Sequence, residues 1–135
     1  MGVADTRRLV CFSPQGKGRL SMTQPQPQAP AEPFGRLSAQ QANERVSRGE
    51  LTVVDVRENW EYARDHIPNA TLTPLGQIIA RPQDAITADN VIFVCEVGQR
   101  SAVAAEMAAA LGMQHVYNLE GGMQAWRTAG LPVES

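Results

Sequence analysis

Two residue types able to do chemistry stand close together in the segment Val91-Ile-Phe-Val-Cys-Glu-Val-Gly-Gln-Arg-Ser101, namely Cys95 and Arg100, with four residues between them. A cysteine acts as a nucleophile through its thiolate, and a guanidinium is a permanent cation. The apolar run Val91–Val94 reads as a strand buried on both faces, and the Ala-rich stretch Ser101–Leu111 as a helix. Cys95 therefore opens a short loop that ends on a helix N-terminus. There, unsatisfied N–H groups and the positive end of the helix dipole stabilise an anion and bias a thiol toward thiolate. Gly98 lets the backbone curl, so that the loop Glu96, Val97, Gly98 and Gln99, with Ser101, forms a cradle of inward N–H groups beside Arg100. The chemistry predicted is nucleophilic attack by Cys95 on a group whose negative charge the loop can hold. Cys11 lies in an aperiodic segment and reads as incidental.

The elements that must position this loop can be read along the chain. Ser38-Ala-Gln-Gln41 is a capping-box pattern that opens a helix over 39–48, closed by Gly49. Leu51–Val56 is a short, mostly β-branched strand, Trp60–Arg64 a helical turn, Thr71-Leu72 a second short strand and Leu75–Ala80 a weak helix. After the 91–94 strand, Val103, Met107 and Leu111 fall on one face of the next helix, which Gly112 ends. His115–Leu119 gives another strand, Gly121-Gly122 a tight turn, and Met123–Thr128 a last helix. Strands alternating with helices predict an α/β fold, a mostly parallel central sheet flanked by helices. Trp60, Tyr62 and Trp126 read as core or edge packing, and His66 as a turn-stabilising hydrogen-bonding residue.

Composition narrows the function classes. The chain has 135 residues, 43% of them hydrophobic, which suits one folded domain. Its net charge of −2 carries no basic excess, so nucleic acid is not an expected partner. Apolar runs are too short for a membrane span or a signal-peptide core, which predicts no membrane association and a cytoplasmic location. Two isolated cysteines and two distant histidines give neither a disulfide framework nor a zinc site, so no metal is expected. Residues 24–33 are Pro/Gln-rich and favour extended conformations, so residues 1–33 are expected to form a disordered extension and residues 34–135 the domain. Met22 offers an internal start, and residues 1–21 are read as an upstream extension or a misassigned start.

Three ordered segments together resemble the rhodanese-like family over roughly residues 34–133. Asp55-Val-Arg-Glu-Asn-Trp-Glu-Tyr-Ala-Arg-Asp-His-Ile-Pro-Asn-Ala70 is similar to its Asp-Val-Arg-Glu…Gly-His-Ile-Pro-Gly-Ala motif, and Cys95–Ser101 to its active-site loop. Leu119-Glu-Gly-Gly-Met-Gln-Ala-Trp-Arg-Thr-Ala-Gly-Leu-Pro132 is similar to its C-terminal motif. Asp65 and Asn69 replace usual glycines, and both residue types tolerate left-handed backbone. The resemblance implies a rhodanese-like three-layer sandwich and a sulfurtransferase that carries sulfur as a Cys95 persulfide, without cofactor. It implies a small-molecule sulfur donor such as thiosulfate or another persulfide source, a thiol or cyanide acceptor, and a sulfur-relay protein as a further partner. It also puts Arg57 near the donor's anionic end; a structural salt bridge is the competing role for Arg57, and Asp55 reads as its structural partner or as a strand-end hydrogen-bond acceptor.

Two rivals stand beside this reading. A cysteine-dependent phosphatase or arsenate reductase would use similar residues, but related phosphatases space cysteine and arginine one residue further apart to embrace a tetrahedral phosphate. A regulatory or protein-binding module would keep the fold without the activity, and the joint presence of Cys95, Gly98 and Arg100 favours the enzyme. Glu96, next to the nucleophile, is expected either to repel a dianionic donor or to point into water, where screening would silence it.

Overall fold

The computed structural model describes residues 32–135, so the expected N-terminal extension and Cys11 lie outside the described residues except for Glu32 and Pro33. Glu32 pairs with Arg36 at 2.6 Å. Five parallel strands form one sheet: β1 (Gly35–Leu37), β2 (Thr52–Asp55), β3 (Thr71–Leu72), β4 (Val91–Val94) and β5 (Val116–Leu119), in the order β1-β5-β4-β2-β3. Among the described residues five helices connect them, α1 (Ala39–Ser47), α2 (Asn59–Arg64), α3 (Leu75–Ala80), α4 (Pro82–Ala85) and α5 (Gln99–Ala110), and α6 (Gly122–Thr128) follows β5.

The side chains of β4 alternate between two apolar clusters. Ile92 and Val94 join Ala42 of α1 with Met123 and Trp126 of α6, while Val91, Phe93 and Cys95 join Ile78 of α3 with Ala104, Ala105 and Ala108 of α5. The sheet is thus the middle layer of three, and β4, buried on both faces, reads as the unbroken apolar run its sequence showed. The alternation also decides where the nucleophile goes. Continuing one residue past β4, Cys95 falls on the α5 face.

The chain leaves β2 toward β3 on one side and leaves β4 toward β5 on the other, so the C-terminal ends of β2 and β4 border a topological switch point, where open parallel sheets place their ligands. Arg57 follows β2 there and Cys95 follows β4. The Ser38 capping box forms as expected, with the Gln41 N–H donating to the Ser38 hydroxyl at 3.2 Å. Two elements had no counterpart in the sequence reading: β1, whose Gly-Arg-Leu is too short for a period, and α4, a single turn started by Pro82. Helix α5 begins at Gln99 rather than Ser101, so Arg100 and Ser101 sit in its first turn. No helix among the described residues is long and apolar enough to cross a membrane.

Candidate functional site

The loop from Cys95 to Gly98 is gripped by two helices. Gly98 caps α5 with a left-handed φ of 99°, the conformation the curl requires. On the other side, the first amides of α6 close over the loop: the Met123 N–H donates to the Cys95 carbonyl at 2.8 Å and the Gln124 N–H to the Glu96 carbonyl at 3.1 Å. This approach depends on Gly122, whose φ is 58° and where a Cβ would come within 2.4 Å of the Cys95 carbonyl oxygen. The Gly-Gly pair expected as a turn is therefore the seat on which the loop rests.

Cys95 is a free, fully buried thiol. The Gly98 N–H donates to its Sγ at 3.0 Å, and the Ser101 hydroxyl lies 3.3 Å away. Burial alone pushes the thiol up, but the Ser101 hydroxyl and the backbone N–H groups of Ser101, Gly98 and Val97 outweigh it and hold Cys95 below the usual thiol range. Val97 is exposed at the loop tip, and Gln99 is exposed at the start of α5.

The cations expected at the site are committed to carboxylates. Arg100 makes a bidentate pair with Glu61 of α2, both bonds at 2.9 Å. That pair holds Glu61 well below the usual carboxylate range, at about 2. The same carboxylate accepts from the Glu58 N–H at 3.0 Å, so one side chain caps α2 and anchors the start of α5. Arg57 has no exposed surface; its guanidinium donates to Asp55 at 2.8 and 2.9 Å and to the Asp65 carbonyl at 2.6 Å, and reaches Glu96 at 3.3 Å. Asp55 and Arg57 are thus brought together as a buried pair, and Arg57 presents no free face to the loop's exterior.

Glu96 corrects the sequence expectation, since it neither projects a bare charge nor points into water. Arg127 of α6 donates to it at 2.6 Å and to Asp65 at 2.7 and 2.8 Å. Arg127 holds both carboxylates below their usual range. Asp65 is a second correction: its φ of −166° is extended backbone, so it occupies its position as an ionic partner, whereas Asn69 takes the left-handed φ of 69°. Arg127 was missed by the sequence reading, because its partners lie 31 and 62 residues away along the chain.

Of the aromatic residues, Trp126 is buried, with its indole N–H on the Pro132 carbonyl at 2.8 Å, but Trp60 is 64% exposed, contrary to the packing expected of it. His66 stacks on Tyr62 with ring centroids 3.7 Å apart and pairs its backbone with Glu134, as a turn-stabilising residue would. Among the described residues no group of three or more His, Cys, Asp or Glu side chains is placed to hold a metal ion.

The family model for the rhodanese-like domain matches residues 38–129. The putative sulfur carrier protein YrkF of Bacillus subtilis is 32% identical over 97 residues, which are 71% of this chain and 52% of that protein, so the chain spans about half the length of this relative. The thiosulfate sulfurtransferase GlpE of Actinobacillus pleuropneumoniae is 29% identical over 106 residues, covering 78% of this chain and 97% of that protein. The crystal structure of a rhodanese-related protein from Thermoplasma volcanium superposes with a TM-score of 0.66 at 29% identity, covering 75% of this chain and 98% of that one.

Proposed function

From a chain that belongs to the rhodanese-like domain family, we propose a sulfurtransferase cycle in which Cys95 carries the sulfur. The observation that carries this reading is the environment of Cys95, a buried thiol held toward ionisation by inward N–H groups at the head of α5. In the first half-reaction the thiolate attacks the outer sulfur of the donor. A new S–S bond forms at Cys95, the donor's own bond to that sulfur breaks, and the electron pair departs with the donor as its anion. The amides of Val97, Gly98 and Ser101 stabilise the charge on the persulfide's terminal sulfur. An acceptor thiolate or cyanide then takes that sulfur and returns Cys95 as thiolate, so the cycle as written uses neither metal nor organic cofactor.

Arg100 and Arg57 act in this proposal through the loop rather than as bare cations, since Glu61 and Asp55 already neutralise them. Four cations and five anions surround the loop when Arg57, Arg64, Arg100 and Arg127 are set against Asp55, Glu58, Glu61, Asp65 and Glu96. Arg57, Arg100 and Arg127 are each already paired with carboxylates, and the nine charges sum to −1, which disfavours a dianion such as thiosulfate. A persulfide of lower charge, on a small thiol or on a sulfur-relay protein, is the donor class the electrostatics favour, and a reducing cytoplasm the compartment that keeps Cys95 free. Because Cys95 is fully buried, the donor sulfur reaches Sγ only when the loop side chains part.

Supplying thiosulfate or glutathione persulfide at equal concentration, with cyanide as acceptor, tests the assignment. Thiocyanate should form from both, in parallel-line double-reciprocal plots, with higher kcat/KM for the persulfide. Hydrolysis of p-nitrophenyl phosphate without any thiocyanate would contradict the proposal and favour the phosphatase.

A further inference from the structure

One buried polar group beside Cys95 has no part in the cycle above. Asn118, on β5, is 3% exposed, and its side-chain N–H donates to the Gly98 carbonyl at 3.1 Å. A carbonyl accepts and never donates, so this contact fixes the amide, leaving Asn118 Oδ1 facing Ser101 Oγ at 2.5 Å. Ser101 is itself fully buried, and the same oxygen lies 3.3 Å from Cys95 Sγ.

The arrangement has fewer protons than contacts. A serine hydroxyl carries one proton, while both Asn118 Oδ1 and a thiolate at Cys95 need it. Between a carbonyl oxygen and a hydroxyl oxygen 2.5 Å apart that proton must lie on the Ser101–Asn118 line, or two lone pairs face each other. With Cys95 as a thiol every group is satisfied, because S–H donates to Ser101 and Ser101 donates to Asn118. Once the thiol ionises, the sulfur has lost its own proton and can only accept. Turning the Ser101 proton toward sulfur then adds a donor to those of the loop amides, at the cost of leaving Asn118 Oδ1 buried without one.

We infer that Asn118 is a positioning residue for Cys95, holding the Ser101 proton while the sulfur is a thiol and yielding it when the sulfur becomes a thiolate. The inference takes Cys95 as the nucleophile of the proposed cycle, but its test reads alkylation, so failure of sulfur transfer and failure of this device are separately visible. The charged groups around the loop are Asp55 on β2 and Arg57 after it, Glu58, Glu61 and Arg64 at and on α2, Asp65, Glu96, Arg100 on α5 and Arg127 on α6. Asp55, Arg57, Glu61, Asp65, Glu96, Arg100 and Arg127 are paired with one another, and Cys95 Sγ itself meets the Gly98 and Val97 amides and Ser101.

The experiment is the pH profile of iodoacetamide alkylation at Cys95 in the full chain carrying Cys11→Ser. Ser101→Ala should move the profile to higher pH and slow alkylation on its rising limb about fivefold, the factor one net neutral hydrogen bond is worth. Asn118→Ala should move it to lower pH with a gain of similar size, and that gain should vanish in the Ser101→Ala background. Any loosening of Gly98 through its lost Asn118 contact persists in both backgrounds and cancels. An Asn118→Ala profile that stays in place, or shifts equally with and without the Ser101 hydroxyl, overturns the inference. If Asn118→Ala does not fold, the side-chain 13Cγ signal of Asn118 in the Cys11→Ser chain decides: it should move at the midpoint of the alkylation profile, and a movement that survives Ser101→Ala overturns the inference equally.

Discussion

At the scale of single residues, the site is defined by how its charges are spent. Glu96 is covered by Arg127, and Arg127 is shared with Asp65, so removing the arginine should expose the charge that the sequence alone suggested. Arg127→Ala is therefore expected to lower kcat/KM for thiosulfate several-fold at low salt and much less at high salt, because an uncovered surface charge is screened over about 10 Å at 0.1 M. Steady-state rates at two ionic strengths check this, and equal losses at both would mean that Arg127 matters by packing. Cys95→Ser should leave the fold intact and abolish transfer, since a serine hydroxyl is scarcely ionised at neutral pH; circular dichroism and thiocyanate formation read the two halves of that statement. Cys95 and the cradle were legible because strand, loop and helix follow one another directly. Arg127, Asp65 and Asn118 were not, since a lone arginine, aspartate or asparagine carries no local signal and gains its meaning only from partners across the fold.

At the scale of elements, the first turns of α5 and α6 meet over one loop. The α6 side is the more exacting, because Gly122 combines a left-handed backbone with the 2.4 Å approach to the Cys95 carbonyl. Gly122→Ala should lower stability by about 2 kcal/mol or more and reduce transfer at least tenfold even where the protein still folds, as strain and displacement fall on the same peptide. Denaturant melts together with kcat measurements check both, and a variant with parent activity would refute the seat assigned to Gly122. Most elements could be read from periodicity and caps, with β4 and α5 the clearest. Strand β1 could not, because Gly35–Leu37 becomes a strand only through its pairing with β5. Asp65 and Asn69 show a subtler limit: both can replace glycine, and only the fold reveals that one uses the left-handed conformation and the other an ion pair.

At the scale of the whole molecule, a parallel sheet with its switch point between β2 and β4 gathers the ends of two strands and the heads of two helices at Cys95. The ion pairs that tie these elements together make stability depend on acid. Glu61 falls from an ordinary 4.5 to about 2 on folding, so its contribution is complete above pH 4.5 and is lost as the pH falls toward 2. That difference corresponds to roughly 3 kcal/mol at full ionisation. Urea unfolding from pH 6 down to pH 2 should show this loss, and Glu61→Gln should be less stable at neutral pH with a flatter acid limb. A parallel limb in the two proteins would remove Glu61 from the account. The claim on which everything else rests is that Cys95 carries sulfur, and intact-mass spectrometry after brief exposure to glutathione persulfide, in the full chain and in its Cys95→Ser and Cys11→Ser variants, tests it most directly. One added sulfur atom is expected on the parent and on Cys11→Ser, removed by cyanide, and none on Cys95→Ser; an unchanged parent mass, or an equal gain on Cys95→Ser, would show that Cys95 is not the carrier.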